Sequence, residues 1–192
     1  MQAGAPKAGY LRTAFGEAWA DLDKNGCDTR NDILRRDLRE AITMKDSHCL
    51  VASGVLADPY TGKELRFRRG AETSKLIQID HLVALSDAWQ KGAQSLTQQQ
   101  RLALANDPLN LIAVDGASNQ QKSDSDAAAW LPKNTRFRCE YVARQISVKA
   151  AYALWLSPTE RTAMLAVLKY CPQQSSYSSV LLPVADVVRA SQ

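Results

Sequence analysis

The chain has 192 residues, 45% of them hydrophobic, enough to bury a core and within the usual size of one domain. No run of 18 or more apolar residues occurs, which excludes a membrane-spanning helix, and the opening MQAGAPKAGY lacks the apolar stretch of a secretory leader. With 24 basic against 20 acidic residues the protein is mildly basic, a balance that tolerates an anionic partner without proving one.

Small and polar up to Tyr10, the start reads as a mature N-terminus behind an initiator Met, with a leader trimmed away. Leu11, Ala14, Phe15, Ala18, Trp19 and Leu22 recur at helical spacing and predict a first helix; Ile33, Leu34, Leu38 and Ile42 predict a second. Between them Asn25-Gly26 marks a turn, and Asp28 or Thr29 can cap the second helix. CLVASGVL and KELRFRRG, joined across DPYTG, predict a hairpin. In its second strand Arg66 and Arg68 alternate with Leu65 and Phe67 and share the solvent face, with Arg69 adjacent. KLIQIDHLV predicts a third strand ending in Asp80-His81. SLTQQQRLALAND reads as a helix, PLNLIAVDG as a strand and SNQQKSD as a short helix. Residues 134–155 are rich in helix formers. Ser157-Pro158-Thr159-Glu160 is a capping box that opens a helix running through LAVLKYC, and the tail from Pro172 onward is ambiguous.

Cys27, Cys49, Cys139 and Cys171 contain no C-x-x-C pair, so disulfides are favoured over zinc, with buried free thiols as the alternative. An antiparallel hairpin of the last two helices brings Cys139 to Cys171 and leaves Cys27 for Cys49 by elimination. Such bonds survive only in oxidising surroundings, which points to a secreted or periplasmic protein.

With only His48 and His81, HExxH and multi-histidine zinc sites are excluded, and no P-loop, GxGxxG or GxSxG occurs. What stands out is a polar set within apolar strands: IDHLVAL, then NDPLNLIAVDG, then SNQQKSD. Taken singly, each residue has a structural reading. His81 continues the alternation of Ile77 and Ile79 as a core histidine, Asp80 and Asn119 are caps, and His48, beside Cys49, is an exposed loop residue.

Taken in order, the set resembles the HNH, or ββα-metal, endonuclease motif. Together with GCDTRNDILRRDL, SGVLADPYTG and ANDPLNLIAVDGASNQQKSDSDAAAWLP it resembles, over roughly residues 17 to 171, a bacterial HNH family related to the C-terminal domain of GmrSD-type restriction enzymes, many of them exported. The resemblance implies an α+β fold, one domain over residues 1–192. A small antiparallel sheet would lie in a ββα-metal core at about 74–130, surrounded by helices that include a hairpin at about 134–171. It implies Asp80 and Asn119 as metal ligands, His81 as general base, and Asn110 as a structural tie on the loop after the first strand. Lys122 becomes a phosphate contact, and Arg30 and Asn31 belong to the family signature, read either as lying near the site or as helix-start structure. Arg66, Arg68 and Arg69 form either a phosphate track or a plain solvated face. Two departures stand out: His81 and Asn110 are 29 positions apart, which requires an inserted helix, and the last ligand is Asn rather than His.

The residue types suit phosphodiester hydrolysis. An imidazole near its ordinary pKa of about 6.5 can deprotonate water. A hard cation, Mg²⁺ or else Mn²⁺, takes oxygen ligands from a carboxylate, an amide, water and substrate. Aromatic residues do not interleave with basic ones, which implies backbone contacts and little sequence preference. The expectation is a monomeric metal-dependent endonuclease acting on DNA, with RNA open as a substrate and no membrane partner. A non-catalytic extracytoplasmic nucleic-acid-binding module and a secreted helical interaction protein are the rivals.

Overall fold

The computed structural model describes residues 3, 5–70 and 73–181. The N-terminal stretch forms no long helix. A 3₁₀ turn, Arg12–Phe15, ends at Gly16, whose φ of 80° leaves the helical region, and Trp19 is also left-handed at 62°. The predicted helix over 11–22 is thus corrected: only Phe15 of its stripe is fully buried.

Helix α1 (Thr29–Asp37) starts where Asp28 accepts from the Asn31 backbone N–H. It stops at Asp37, and Leu38–Thr43 is strand β1 instead of more helix. The spacing from Leu38 to Ile42 is four, which a helix and a period-two strand satisfy equally, and pairing with the next strand decides the matter. Strands β2 (Val51–Ala57) and β3 (Glu64–Arg68) form the predicted hairpin, with Val55 opposite Arg66, and β1 pairs antiparallel on β2. Its turn is held by Asp58, which accepts from the Thr61 backbone at 2.8 Å, and Gly62 supplies φ 73°.

Strands β4 (Ile77–His81) and β5 (Leu111–Asp115) form a separate antiparallel pair, Asp80 facing Ile112 and His81 facing Leu111. One face, with Ile77, Ile79, Leu111 and Ala113, packs on α1 and the three-stranded sheet; the other, with Ile112 and Val114, packs on Tyr60, Phe137, Tyr141 and Met164. Side chains occupy the outer edge of β5. Arg36 and Arg144 donate to the Leu111 carbonyl at 2.7 and 3.0 Å, and Asp37 accepts from the Ala113 N–H at 2.7 Å.

Between these strands lie α2 (Leu85–Gln90) and α3 (Gln98–Asn106), the latter with a Thr97–Gln100 capping box. Helix α4 (Gly116–Lys122) follows β5 at once. A side chain on Gly116 would put its Cβ 2.2 Å from the Lys75 carbonyl, so glycine permits this close approach. Helices α5 (Arg138–Ala151) and α6 (Pro158–Leu168) are the last helices among the described residues, α6 opened by the predicted Ser157–Glu160 capping box. Cys139 pairs with Cys171 and Cys27 with Cys49, as the sequence led us to expect. The sheet content is mixed with several helices, an α+β architecture. The tail splits: Pro172 to Leu181 is irregular, and the rest lies outside the described residues. Buried ions tie the inserted helix to the C-terminal pair: Lys91 contacts Asp87 (2.6 Å), Asp126 (2.7 Å) and Glu160 (2.8 Å), and Lys149 contacts Asp87 (3.1 Å) and Glu160 (2.6 Å).

Candidate active site

A cleft of about 450 Å³ opens where β4, the start of α2 and α4 meet, and its lining includes Asp80, His81 and Asn119. Strand alternation sends Asp80 and His81 to opposite faces of the β4–β5 pair. The His81 Nε2 donates to the Ala105 carbonyl at 2.8 Å, so the neutral ring carries its lone pair on Nδ1. Trp19 stacks on the ring, centroids 6.2 Å apart. Burial pushes the imidazole down to about 3; the Ala105 bond opposes this, while the charges of Arg12 and Lys122 add to it. The expected imidazole near 6.5 is therefore corrected: the ring stays neutral well into acid.

Asn110, fully buried, accepts from the Val83 N–H at 2.8 Å and donates to the carbonyls of Val83 and Leu104, both at 3.3 Å. Its own carbonyl accepts from the Leu82 N–H at 2.8 Å. Asn110 thereby ties the loop after β4 to the end of α3, whose Ala105 carbonyl holds the His81 ring. Asn119 donates its amide to Gln78 Oε1 at 2.8 Å, which assigns the carbonyl oxygen as its other functional atom.

Asp80 is nearly buried. Lys122 Nζ lies 3.1 Å from its Oδ1 and 3.0 Å from its Oδ2, and the Tyr60 hydroxyl donates to Oδ2. Burial raises the carboxyl above its ordinary range, with Lys122 and Tyr60 pulling it back. Lys122 has no exposed side-chain surface and also donates to the His81 carbonyl at 2.8 Å. The phosphate contact expected of Lys122 is corrected accordingly: it is the counter-ion of Asp80, because leaving that pair would strand a buried charge.

The other predicted cations stand apart. Arg66, Arg68 and Arg69 line a separate cavity of about 730 Å³ on the three-stranded sheet. Arg66 and Arg68 are exposed, while the Arg69 guanidinium is tied to the Val51 carbonyl (2.7 Å) and Asn31 Oδ1 (2.5 Å). Arg30 is half-buried near Arg69 and does not line the cleft. His48 is exposed beside the first disulfide. Among the described residues the one group of three His, Cys, Asp or Glu side chains close enough to share an ion is Cys27, His48 and Cys49, whose sulfurs are joined to each other and so are not thiolate ligands.

Sequence reasoning missed Tyr60, Trp19, Lys7, Tyr10 and Arg12. Tyr60 had one signal: a large aromatic residue inside a tight turn needs somewhere to go. Its ring is buried against Trp130, Tyr141 and Phe137, centroids 4.9, 5.9 and 6.2 Å away. Lys7 and Tyr10 line the cleft from the small, polar start read as a mature N-terminus, and Arg12 from the segment whose pattern suggested a helix.

Two antiparallel strands followed directly by a helix, with Asp-His closing the first strand and asparagines before the second and on the helix, make the ββα arrangement of the HNH class. The chain belongs to the family described as GmrSD restriction endonucleases, C-terminal domain, whose model matches residues 28–167. It is 35% identical over 168 residues to an "Uncharacterized secreted protein" of Arthroderma benhamiae (strain ATCC MYA-4681 / CBS 112371), covering 86% of this chain and 78% of that protein. No solved structure matches it.

Proposed function

We propose that the protein is an extracytoplasmic, metal-dependent endonuclease that hydrolyses DNA phosphodiester bonds with little sequence preference. One observation carries the reading: a histidine with Nε2 committed to a backbone carbonyl, and hence a neutral acceptor at Nδ1, lines the same cleft as Asp80 and Asn119. His81 Nδ1 takes the proton of the attacking water; burial makes the ring a weak base without substrate, and the Ala105 carbonyl and the anionic phosphate of a bound substrate both favour the imidazolium. Asn110 keeps the loop after β4 from moving the ring.

Asp80 and Asn119 fit a hard cation, since both offer oxygen and a carboxylate has about four acceptor positions, not all used by Lys122 and Tyr60. Mg²⁺ or Mn²⁺ held there would supply Lewis-acid stabilisation of the phosphate and the leaving oxygen. Arg66 and Arg68, remote from the cleft, would meet flanking DNA instead of the scissile phosphate. The secreted relative and two disulfides support a site of action outside the cytoplasm.

Plasmid cleavage with and without EDTA tests the reading. Cleavage should stop in chelator and return with excess Mg²⁺ or Mn²⁺, while full activity in chelator would refute it. Binding without cleavage under every metal would favour a non-catalytic nucleic-acid-binding module.

A further inference from the structure

The segment upstream of the family-matched residues is part of the cleft. Ala5 donates its N–H to the Gln90 carbonyl at 2.7 Å, Trp89 Nε1 donates to the Ala8 carbonyl at 3.3 Å, and Arg101 Nε donates to the Ala14 carbonyl at 2.8 Å. Phe15 is buried, and its ring stands 6.3 Å from those of Tyr10 and Trp89. Gln90, Trp89 and Arg101 all belong to α2 and α3, so the long insertion between His81 and Asn110 is the platform on which residues 5–15 are laid beside the catalytic strand.

A phosphodiester entering this cleft needs a cation, and most candidates are engaged. Lys122 is sealed beneath Asp80. Lys7 is 2.6 Å from Asp124, itself bonded to Ser86. Arg66, Arg68 and Arg69 line another cavity. Arg12 remains: it is exposed, lines both the cleft and the small cavity between Trp19 and His81, and among the described residues has no carboxylate within ion-pair distance. Its charge also reaches His81, where it disfavours protonation. A guanidinium offers a planar fork matched to two phosphate oxygens.

We propose that Arg12 binds the substrate phosphate in the cleft, so that the N-terminal segment completes a site whose remaining residues lie within the family match. The proposal deepens the nuclease reading, on which it rests for the identity of the anion.

The test uses the full chain with Arg12→Ala and Arg12→Lys. Cleavage by Arg12→Ala should be about a hundredfold slower. On a His81→Ala background, fluorescence anisotropy with a short labelled duplex should show weaker binding and a slope of log affinity against log salt shallower by about 0.9. Arg12→Lys should restore the slope but only part of the rate, since it keeps the charge and loses the fork. Thermal midpoints should match the parent proteins, because Arg12 is exposed and, among the described residues, has no carboxylate partner. Unchanged rate, affinity and slope in Arg12→Ala would overturn the proposal while leaving the nuclease reading intact. A wild type that never cleaves overturns the nuclease reading instead, and the salt slope then decides Arg12 by itself. Lost binding with a lowered midpoint that Arg12→Lys fails to correct would also overturn it, since the side chain would then be holding the fold.

Discussion

Lys122 Nζ sits almost equidistant from the two oxygens of Asp80, 3.1 Å from Oδ1 and 3.0 Å from Oδ2, with the lysine fully buried and the carboxylate reaching only the cleft. A residue on α4 thereby neutralises the carboxylate on β4, and the two elements of the ββα unit are joined by charge as well as by packing.

Lys122→Met should cost about 3–5 kcal/mol in a denaturant titration, because it leaves Asp80 buried without its partner. Adding Asp80→Asn should recover much of that loss, as both charges are then gone. Additive losses would mean that the pair is not coupled.

Roles at the cleft should separate in calorimetry. Asn119→Ala should weaken Mn²⁺ binding, whereas His81→Ala should leave it largely intact and reduce the cleavage rate by roughly 10² to 10⁴. The opposite pattern would exchange the two assignments.

Acid should destabilise the protein through His81. Folded, the ring stays neutral down to about 3, while in the unfolded chain an ordinary imidazole takes a proton below about 6.5. Its stabilising contribution is therefore complete above pH 6.5 and is lost as pH falls toward 3. Asp80, raised in the fold, acts in the other direction, so the comparison must be with His81→Ala, where Asp80 remains. Between pH 7 and pH 4.5 wild type should lose about 2–3 kcal/mol more than that variant in urea unfolding. Equal losses would show a solvated ring.

Both disulfides should be present in the isolated protein. Its intact mass should be about 4 Da below that of the fully reduced chain, two hydrogens per bond. Reduction of either should cost about 2–4 kcal/mol. Four alkylatable thiols without reductant would refute both bonds.

Legibility followed how many constraints a residue carried. The α6 start was readable because Ser157, Pro158 and Glu160 each restrict the same helix end, and the disulfide of Cys139 and Cys171 because two flanking helices fixed it. β4 and β5 showed themselves by apolar runs with polar interruptions, and those interruptions were the candidate site. Leu38 and Ile42 misled because one spacing serves two periods. The N-terminal helix failed on Gly16 and Trp19, whose left-handed backbone the hydrophobic spacing does not register. The burial of Lys122 was equally invisible, since a lysine near a helix end is ordinarily solvated and only the position of Asp80 across the strand draws it inward.

The outer edge of β5 has a consequence for association. A two-stranded ribbon with a bare margin would invite an extra strand from a neighbouring copy or a passing peptide. Here Arg36 and Arg144 already occupy the Leu111 carbonyl and Asp37 the Ala113 N–H, so an incoming strand would have to displace charged side chains to bond either group. On this margin the ββα core resists polymerisation by strand exchange, even when the protein becomes concentrated.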